Sequence, residues 1–320
     1  MNTKCVYIVT SDEEDLYLEQ TYLSAYSLRH HNPDAEIVLV VDEKTERSLR
    51  GVRKEILGTV SRLCVISCPA HYSKMVTSRY LKTSLRQRIE GDYLFIDGDT
   101  IIADKLDAAD CFSFEIGAAI DKHINISDHT QKDDIISKAK RIGWDFNKWD
   151  GRYFNSGVMF VKDTKIAHEL YEQWHNEWLF FSKKGINIDQ PSLNKINVQM
   201  GDIITELGGE WNCQIVDNGI KFLNRAKIIH YFASSIGRGT DKDIAPYLFK
   251  NKGLYREIKE KGLTEEIKEL LDQPKEAFSD KVRLIDGATS DFISSPIGRI
   301  ARKLNNSFSF LNKPLKVFIK

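Results

Sequence analysis

The chain has 320 residues and a mass of 36.8 kDa, enough for one large α/β domain and an appendage. With 42% hydrophobic and 29% charged residues, its composition excludes a disordered chain and a membrane-spanning one. The 46 basic and 46 acidic residues cancel, which excludes a protein that finds nucleic acid by bulk electrostatics.

The five cysteines are scattered and contain no C-x-x-C pair, a pattern typical of reduced thiols. A disulfide scaffold and a structural zinc site are both disfavoured. Residues 1–10 contain one lysine and a β-branched run that is too short for the apolar core of a signal peptide. We therefore expect a cytoplasmic protein, with the inner face of the cell membrane as a further possible location.

Short apolar runs alternate with amphipathic stretches along the first two thirds of the chain. Helices are predicted at residues 15–30, 75–89, 167–181 and 189–196, where apolar residues recur at helical spacing or helix-breaking residues mark the ends. Strands are predicted at residues 6–9, 37–41, 63–66, 93–96, 116–120 and 158–161. This alternation predicts an α/β fold with a mostly parallel sheet covered on both faces.

The composition changes near Gln273-Pro274, after a Lys/Glu-rich stretch at residues 244–273 that we expect to be helical. This predicts a catalytic domain at residues 1–273 and a basic, helical C-terminal extension at residues 274–320. Eight Lys/Arg and two Asp give residues 281–320 a net charge of +6, which leaves −6 on the rest of the chain. Apolar and basic residues alternate in this tail, so it either lies on an anionic bilayer or packs on the domain.

The strongest chemical signal is Asp97-Gly98-Asp99, directly after the apolar run 93–96. Side chains at i and i+2 of an extended chain point the same way, about 7 Å apart, and a bend at Gly98 can bring both acids onto one cation. Oxygen ligands of this kind suit Mn²⁺ or Mg²⁺. Asp241-Lys242-Asp243 has the same spacing but no preceding strand, which favours an ordinary charged loop.

Three further clusters could carry chemistry, and each has a structural alternative. Asn155-Ser156-Gly157 could hold sugar hydroxyls or form a turn. Asp189-Gln190 precedes Pro191 and could line a site or cap a helix. His230 ends a short apolar strand and could be a third metal ligand or a structural histidine.

Taken in chain order, these clusters resemble the family 8 retaining glycosyltransferases, which include glycogenin and bacterial lipopolysaccharide galactosyl- and glucosyltransferases. The resemblance covers about residues 4–232. Besides the clusters above, it rests on Thr10-Ser11-Asp12, Ser78-Arg79-Tyr80-Leu81-Lys82, Trp211-Asn212 and Ile228-Ile229-His230-Tyr231.

The resemblance implies a single Rossmann-like domain of the GT-A type that binds a UDP-sugar with a divalent cation, usually Mn²⁺, with Mg²⁺ as the alternative. By position, the metal ligands are Asp97, Asp99 and His230. The reacting face of the sugar is assigned to Asp189 and Gln190, together with Asn155. The remaining donor-binding residues are Thr10, Ser11, Asp12, Arg79, Gly98, Asp121 and Ser156.

The sequence departs from the family after the histidine. The usual Gly and Lys-Pro-Trp that close over the diphosphate are replaced by residues 232–239, Phe-Ala-Ser-Ser-Ile-Gly-Arg-Gly. Arg238 is our candidate for the missing positive charge, because a guanidinium can bind phosphate oxygens in a bidentate manner.

These features predict a metal-dependent retaining hexosyltransferase that extends a glycan or lipid-linked saccharide, in lipopolysaccharide or surface polysaccharide synthesis. Gln190 is a poor nucleophile, which favours front-face attack by the acceptor hydroxyl over a covalent glycosyl-enzyme. A sugar nucleotidyltransferase is the first alternative, but such enzymes carry a Gly-rich loop after the first strand, and here the acidic residues 11–15 follow it. The second alternative is a non-catalytic nucleotide-sugar-binding protein.

Overall fold

The computed structural model describes residues 1–144, 149–215, 218–232 and 252–279, together with 295–297 and 300. The chain divides into two units, residues 1–280 and 281–320. In the second unit, Ile297 and Ile300 are exposed. Within the described ranges, none of the helices combines the length and the hydropathy that a transmembrane span requires.

The first unit contains a seven-stranded sheet with the order β3-β2-β1-β4-β7-β6-β8 and a three-stranded sheet with the order β5-β10-β9. In the large sheet only β7 runs antiparallel to its neighbours, β4 and β6, so the predicted mixed, mostly parallel sheet is confirmed. The strands are β1 (Lys4–Val9), β2 (Ile37–Asp42), β3 (Arg62–Ile66), β4 (Tyr93–Ile96), β5 (Thr100–Ile102), β6 (Ile116–Ile120), β7 (Phe154–Val161), β8 (Ile204–Glu206), β9 (Cys213–Gln214) and β10 (Ile228–His230).

Helices cover both faces of the large sheet. The predicted helix at 75–89 ends earlier, at Thr83, and a 3-10 turn follows at Leu85–Gln87. The helices are α1 (Tyr17–His31), α2 (Glu43–Ser48), α3 (Lys74–Thr83), α4 (Lys132–Arg141), α5 (Lys165–Ser182), α6 (Gln190–Gln199), α7 (Lys252–Lys261), α8 (Glu265–Glu269) and α9 (Pro274–Ser279).

Strand periodicity explains why the central strands are apolar throughout. Along β1, Cys5 and Tyr7 pack in a core cluster with α1 and α7, while Val6 and Ile8 pack in a second cluster with α3, α5 and α6. Because successive side chains of a strand point to opposite faces, a sheet buried on both sides needs apolar residues at every position.

The predicted boundary at residue 273 stays a prediction. Helix α9 follows that boundary, and its Phe278 is buried in the core cluster of α1 and α7. Most of the tail, including its basic residues, lies outside the described ranges.

Candidate active site

A cavity of about 660 Å³ opens at the carboxyl ends of β1 and β4. The amino end of β7 reaches the same edge because β7 runs antiparallel to β4, and β10 adds His230. The residues that line the cavity and bear on its chemistry are Thr10, Asp15, Tyr17, Arg79, Lys82, Asp97, Gly98, Asp99, Asn155, Ser156, Gly157, Asp189, Gln190 and His230.

Asp97, Asp99 and His230 form a cluster in which one ligand atom from each lies within 4.8 Å of the others. The backbone N–H of Asp97 donates to Gly157 at 2.7 Å, which extends the pairing of β4 with β7 past the strand end. The chain then bends at Gly98 and continues as β5, which pairs with β10 and so brings His230 opposite Thr100. The Asp99 Oδ1 and His230 Nε2 atoms are 3.2 Å apart.

Two glycines keep this corner open. A Cβ on Gly98 would stand 2.3 Å from Thr21 Oγ1. A Cβ on Gly157 would stand 2.5 Å from His230 Cε1 and 2.9 Å from Asp97 Oδ2, in the space over the cluster. Two carboxylates and an imidazole around such a space fit a divalent cation, as the resemblance implies.

The Asp97 carboxylate is poorly compensated by protein groups. Burial raises its pKa and the Asp99 carboxylate raises it further, and the opposing effects of Lys82, His230 and Arg79 do not outweigh them. Lys82 Nζ lies 3.3 Å from Asp97 Oδ1 and is itself almost fully buried. A site with this excess of negative charge gains electrostatic free energy when it takes up a cation.

Asp189 is the opposite case. Its Oδ1 lies 2.8 Å from Arg79 Nε, while its Oδ2 accepts from Ser156 Oγ at 3.0 Å and lies 3.7 Å from Lys82 Nζ. Burial acts to raise its pKa, but Lys82 and Arg79 outweigh burial, and the pKa is lowered. Asp189 occupies the N-cap position of α6 as the cap alternative predicted, but its side chain makes no capping bond.

Asn155 and Ser156 lie within β7, so the reading of this segment as a turn is also wrong. Asn155 Nδ2 donates to Asp121 Oδ1 at 2.7 Å, and His129 Nε2 lies 2.9 Å from Asp121 Oδ2. These hydrogen bonds outweigh burial and lower the pKa of Asp121.

Asp121 lines a second cavity of about 390 Å³ rather than the first. The two cavities share residues at their border: Asn155, Ile188, Gln190 and Phe232. Asp121, which is predicted to bind the donor, therefore lines the neighbouring cavity.

Of the three residues assigned to the loop after β1, only Thr10 lines the large cavity. Ser11 is buried and accepts a hydrogen bond from Arg53, while Asp12 forms an ion pair with Lys74. The neighbouring residues Asp15 and Tyr17 line the cavity instead.

Lys82, Asn212 and His129 have no role predicted from the sequence. Lys82 and Asn212 belong to segments that carry the resemblance, but their types and positions alone do not show which carboxylate or imidazole they contact. Asn212 Oδ1 lies 3.0 Å from His230 Nδ1. Arg238, the candidate for closing over the diphosphate, lies outside the described residues.

No protein-family model matches the sequence, and no curated protein matches it significantly. Solved structures do resemble it. The galactosyltransferase LgtC in complex with donor and acceptor sugar analogues is 16% identical, covers 89% of this chain and 98% of its own, and gives a TM-score of 0.50. An active-site mutant of LgtC is 14% identical over the same shares, with a TM-score of 0.51.

Mouse xyloside xylosyltransferase 1 in its apo form is 14% identical and covers 74% of this chain and 99% of its own, with a TM-score of 0.48. At such identities the likeness to LgtC establishes the fold alone. The chain has the GT-A fold, and the predicted fold class is confirmed.

Proposed function

We propose that the protein is a metal-dependent, retaining glycosyltransferase that moves a hexose from a UDP-sugar to a glycan acceptor. The observation that carries this proposal is the cluster of Asp97, Asp99 and His230 in the large cavity, beside the charge-paired Asp189. The cluster suits a diphosphate-bound cation, and Asp189 suits the sugar that this diphosphate carries.

The cation would be held by Asp97, Asp99 and His230. Carboxylate oxygens suit both Mg²⁺ and Mn²⁺, and an imidazole nitrogen is more typical of transition metals, which favours Mn²⁺. When bound, the ion supplies positive charge to the diphosphate that leaves with the bonding electrons.

The state of Asp189 favours front-face attack. A carboxylate that already contacts Arg79, Lys82 and Ser156 and has a lowered pKa is a weak nucleophile. The anomeric carbon–oxygen bond to the β-phosphate breaks while the acceptor oxygen bonds to the same face of that carbon. The acceptor proton passes to the departing phosphate oxygen, and Asp189 with Gln190 stabilises the positive charge on the sugar.

The second cavity is our candidate for the acceptor site. It adjoins the large cavity at Gln190 and combines apolar side chains, Ile135 and Ile188, with the amide of Gln131. Sugar rings offer an apolar face and polar edges, so such a lining suits a glycan. A lipid-linked acceptor in lipopolysaccharide or surface polysaccharide synthesis would place the protein at the inner face of the membrane, through its basic tail.

Titration calorimetry of UDP into metal-stripped protein, with and without Mn²⁺, tests the proposal. We expect binding that requires Mn²⁺, is lost in Asp97→Ala, and persists in Asp34→Ala, a control at an exposed carboxylate outside the cavity. Absence of UDP binding by the wild-type protein under both conditions would contradict the proposal.

Transfer itself separates the alternatives. A UDP-sugar screen that shows hydrolysis or transfer with retained anomeric configuration supports the glycosyltransferase. Binding without turnover for every donor and acceptor would favour a non-catalytic nucleotide-sugar binder. Diphosphate release from UTP and a sugar phosphate would favour the nucleotidyltransferase, although residues 11–15 after β1 form ion pairs with Lys74 instead of a Gly-rich phosphate loop.

A further inference from the structure

A line of buried hydrogen bonds connects Asp121 to His230. Asn155 Nδ2 and Asp121 Oδ1 are 2.7 Å apart, Asn212 Nδ2 and Asn155 Oδ1 are 3.0 Å apart, and Asn212 Oδ1 and His230 Nδ1 are 3.0 Å apart. None of the four residues is more than 8% exposed, and Asn212 is fully buried. The line begins at the second cavity and ends at the cluster of Asp97, Asp99 and His230.

The direction of the line follows from its first member. An ionised carboxylate can only accept hydrogen bonds, so Asn155 must present its Nδ2 to Asp121. Its Oδ1 then faces Asn212 and also accepts from the backbone N–H of Gly157 at 2.9 Å. Asn212 must in turn present its Nδ2 to Asn155, which leaves its Oδ1 toward His230. Hydrogen-bond chemistry therefore fixes both amide orientations.

The second oxygen of Asp121 is fixed in the same way. The backbone N–H of Gln131 donates to His129 Nδ1 at 3.0 Å, so the proton of a neutral His129 is on Nε2. This Nε2–H donates to Asp121 Oδ2 at 2.9 Å. Both oxygens of Asp121 accept from the protein, which holds the carboxylate at the start of the line.

We propose that Asn212 is a positioning residue of the metal centre, whose Oδ1 holds the proton of His230 on Nδ1 so that the Nε2 lone pair faces the cation. This inference rests on the proposed function. His230 Nε2 already points at Asp99 Oδ1, 3.2 Å away. A hydrogen bond at the distal nitrogen fixes the tautomer and ring orientation of a ligating histidine and makes it a stronger ligand.

The competing explanation is that Asn212 only fills space. Leucine has a similar volume and would then serve as well, whereas a buried aspartate would serve worse. If Asn212 acts as an acceptor for His230, the order reverses, because aspartate keeps an oxygen for Nδ1–H and leucine does not. Both variants remove the Nδ2 donor to Asn155 Oδ1, which keeps the Gly157 N–H, and in Asn212→Asp the second carboxylate oxygen has to turn away from that Oδ1.

The test measures Mn²⁺ affinity of the full chain from the electron paramagnetic resonance signal of free Mn²⁺, with no substrate present. We expect Asn212→Leu and Asn212→Ser to bind about 10- to 100-fold more weakly than wild type, and Asn212→Asp to stay within about threefold or bind more tightly. Asn197→Leu is the matched control. Its amide is also buried and also bonds at both ends, to Asp202 and Ile204, away from both cavities.

Thermal unfolding without metal verifies that each variant is folded, and Asn212→Ser replaces Asn212→Leu if the latter does not fold. Wild-type affinity in Asn212→Leu or Asn212→Ser, or an Asn212→Asp affinity as low as that of Asn212→Leu, would overturn the inference while leaving the proposed function intact. If the wild-type protein binds no Mn²⁺, or if its Mn²⁺ binding survives in Asp97→Ala, the proposed metal centre and this inference are both wrong.

Discussion

Two clusters in the large cavity share Lys82 but have different surroundings. One consists of Asp97, Asp99 and His230, and the other of Asp189 with Arg79 and Ser156. Lys82 Nζ lies 3.3 Å from Asp97 Oδ1 and 3.7 Å from Asp189 Oδ2. Asp189 has Arg79 as a second cation, whereas Asp97 faces another carboxylate, Asp99. Burial, together with Asp99, raises the pKa of Asp97 against Lys82, His230 and Arg79, whereas Lys82 and Arg79 outweigh burial at Asp189 and lower its pKa.

The chemical roles of identical side chains are therefore set by the groups around them. Asp189 is already neutralised by the protein and has little to gain from a cation, so it is suited to face a sugar whose positive charge is transient. Asp97 is under-compensated and gains from a permanent divalent charge. Under the proposed function, the placement of two basic side chains would separate a metal position from a sugar position within one cavity.

Removing a metal ligand should have the largest effect. In Asp97→Asn we expect Mn²⁺-dependent transfer to fall by about 10³-fold, which corresponds to ~4 kcal/mol of lost transition-state stabilisation. Steady-state kinetics with a Mn²⁺ titration measures it, and Asp34→Asn is the exposed control. Mn²⁺-dependent turnover that survives in Asp97→Asn would place the cation elsewhere.

The paired carboxylate should behave differently. In Asp189→Asn we expect kcat to fall by about 10²-fold, since an electrostatic partner of the transition state is lost, while Mn²⁺ affinity stays within about threefold. The free energy of unfolding should fall by about 3 kcal/mol because the buried Lys82 loses one of its two partners. A large loss of Mn²⁺ affinity would show that the two clusters are not separate.

The shared cation offers the sharpest test of the comparison. Lys82→Met removes a positive charge that competes with the metal for Asp97, so Mn²⁺ affinity should rise by about tenfold, or ~1.4 kcal/mol. The metal-free protein should lose about 3 kcal/mol of stability, since Asp97 and Asp189 remain without that partner. Calorimetric Mn²⁺ titration and urea unfolding measure the two effects, and a fall in Mn²⁺ affinity would contradict the assignment.

Much of this arrangement is predictable from sequence. The apolar runs identify the central strands because a sheet covered on both faces buries every position. Asp97 and Asp99 follow such a run and flank a glycine, so their convergence depends on local geometry alone. His230 required the resemblance, since its approach depends on β10 pairing with β5, more than 120 residues earlier in the chain.

The sequence alone does not predict the role of a residue whose contacts come from a distant part of the chain. Whether Asp189 caps α6 or faces the cavity depends on Arg79, which α3 presents from another part of the chain. The position of Asp121 depends on the turn at Lys122 and His123, whose φ angles of 55° and 53° are uncommon for residues other than glycine. Through this turn the chain returns His129 to Asp121, a contact that no spacing rule predicts.

Two histidines also differ in their surroundings, and here we expect a smaller effect, on the free energy of unfolding. His230 faces a carboxylate, whereas His175 packs against Tyr80 and Trp178, and burial together with Arg88 lowers its pKa to about 4. Since a histidine of the unfolded chain titrates near ~6.5, the unfolded state takes up a proton below that pH and the folded state does not until about pH 4.

The free energy of unfolding should therefore fall as the pH decreases from ~6.5 toward 4, and His175→Phe should reduce this slope by at most about one proton. His123, whose pKa is also lowered to about 4, keeps the same sign of dependence in the variant and so provides an internal reference. Urea unfolding at several pH values between 7.5 and 4.5 measures both slopes. Equal slopes for wild type and His175→Phe would mean that His175 takes up its proton in the folded protein, and that burial beside a cation does not keep it neutral.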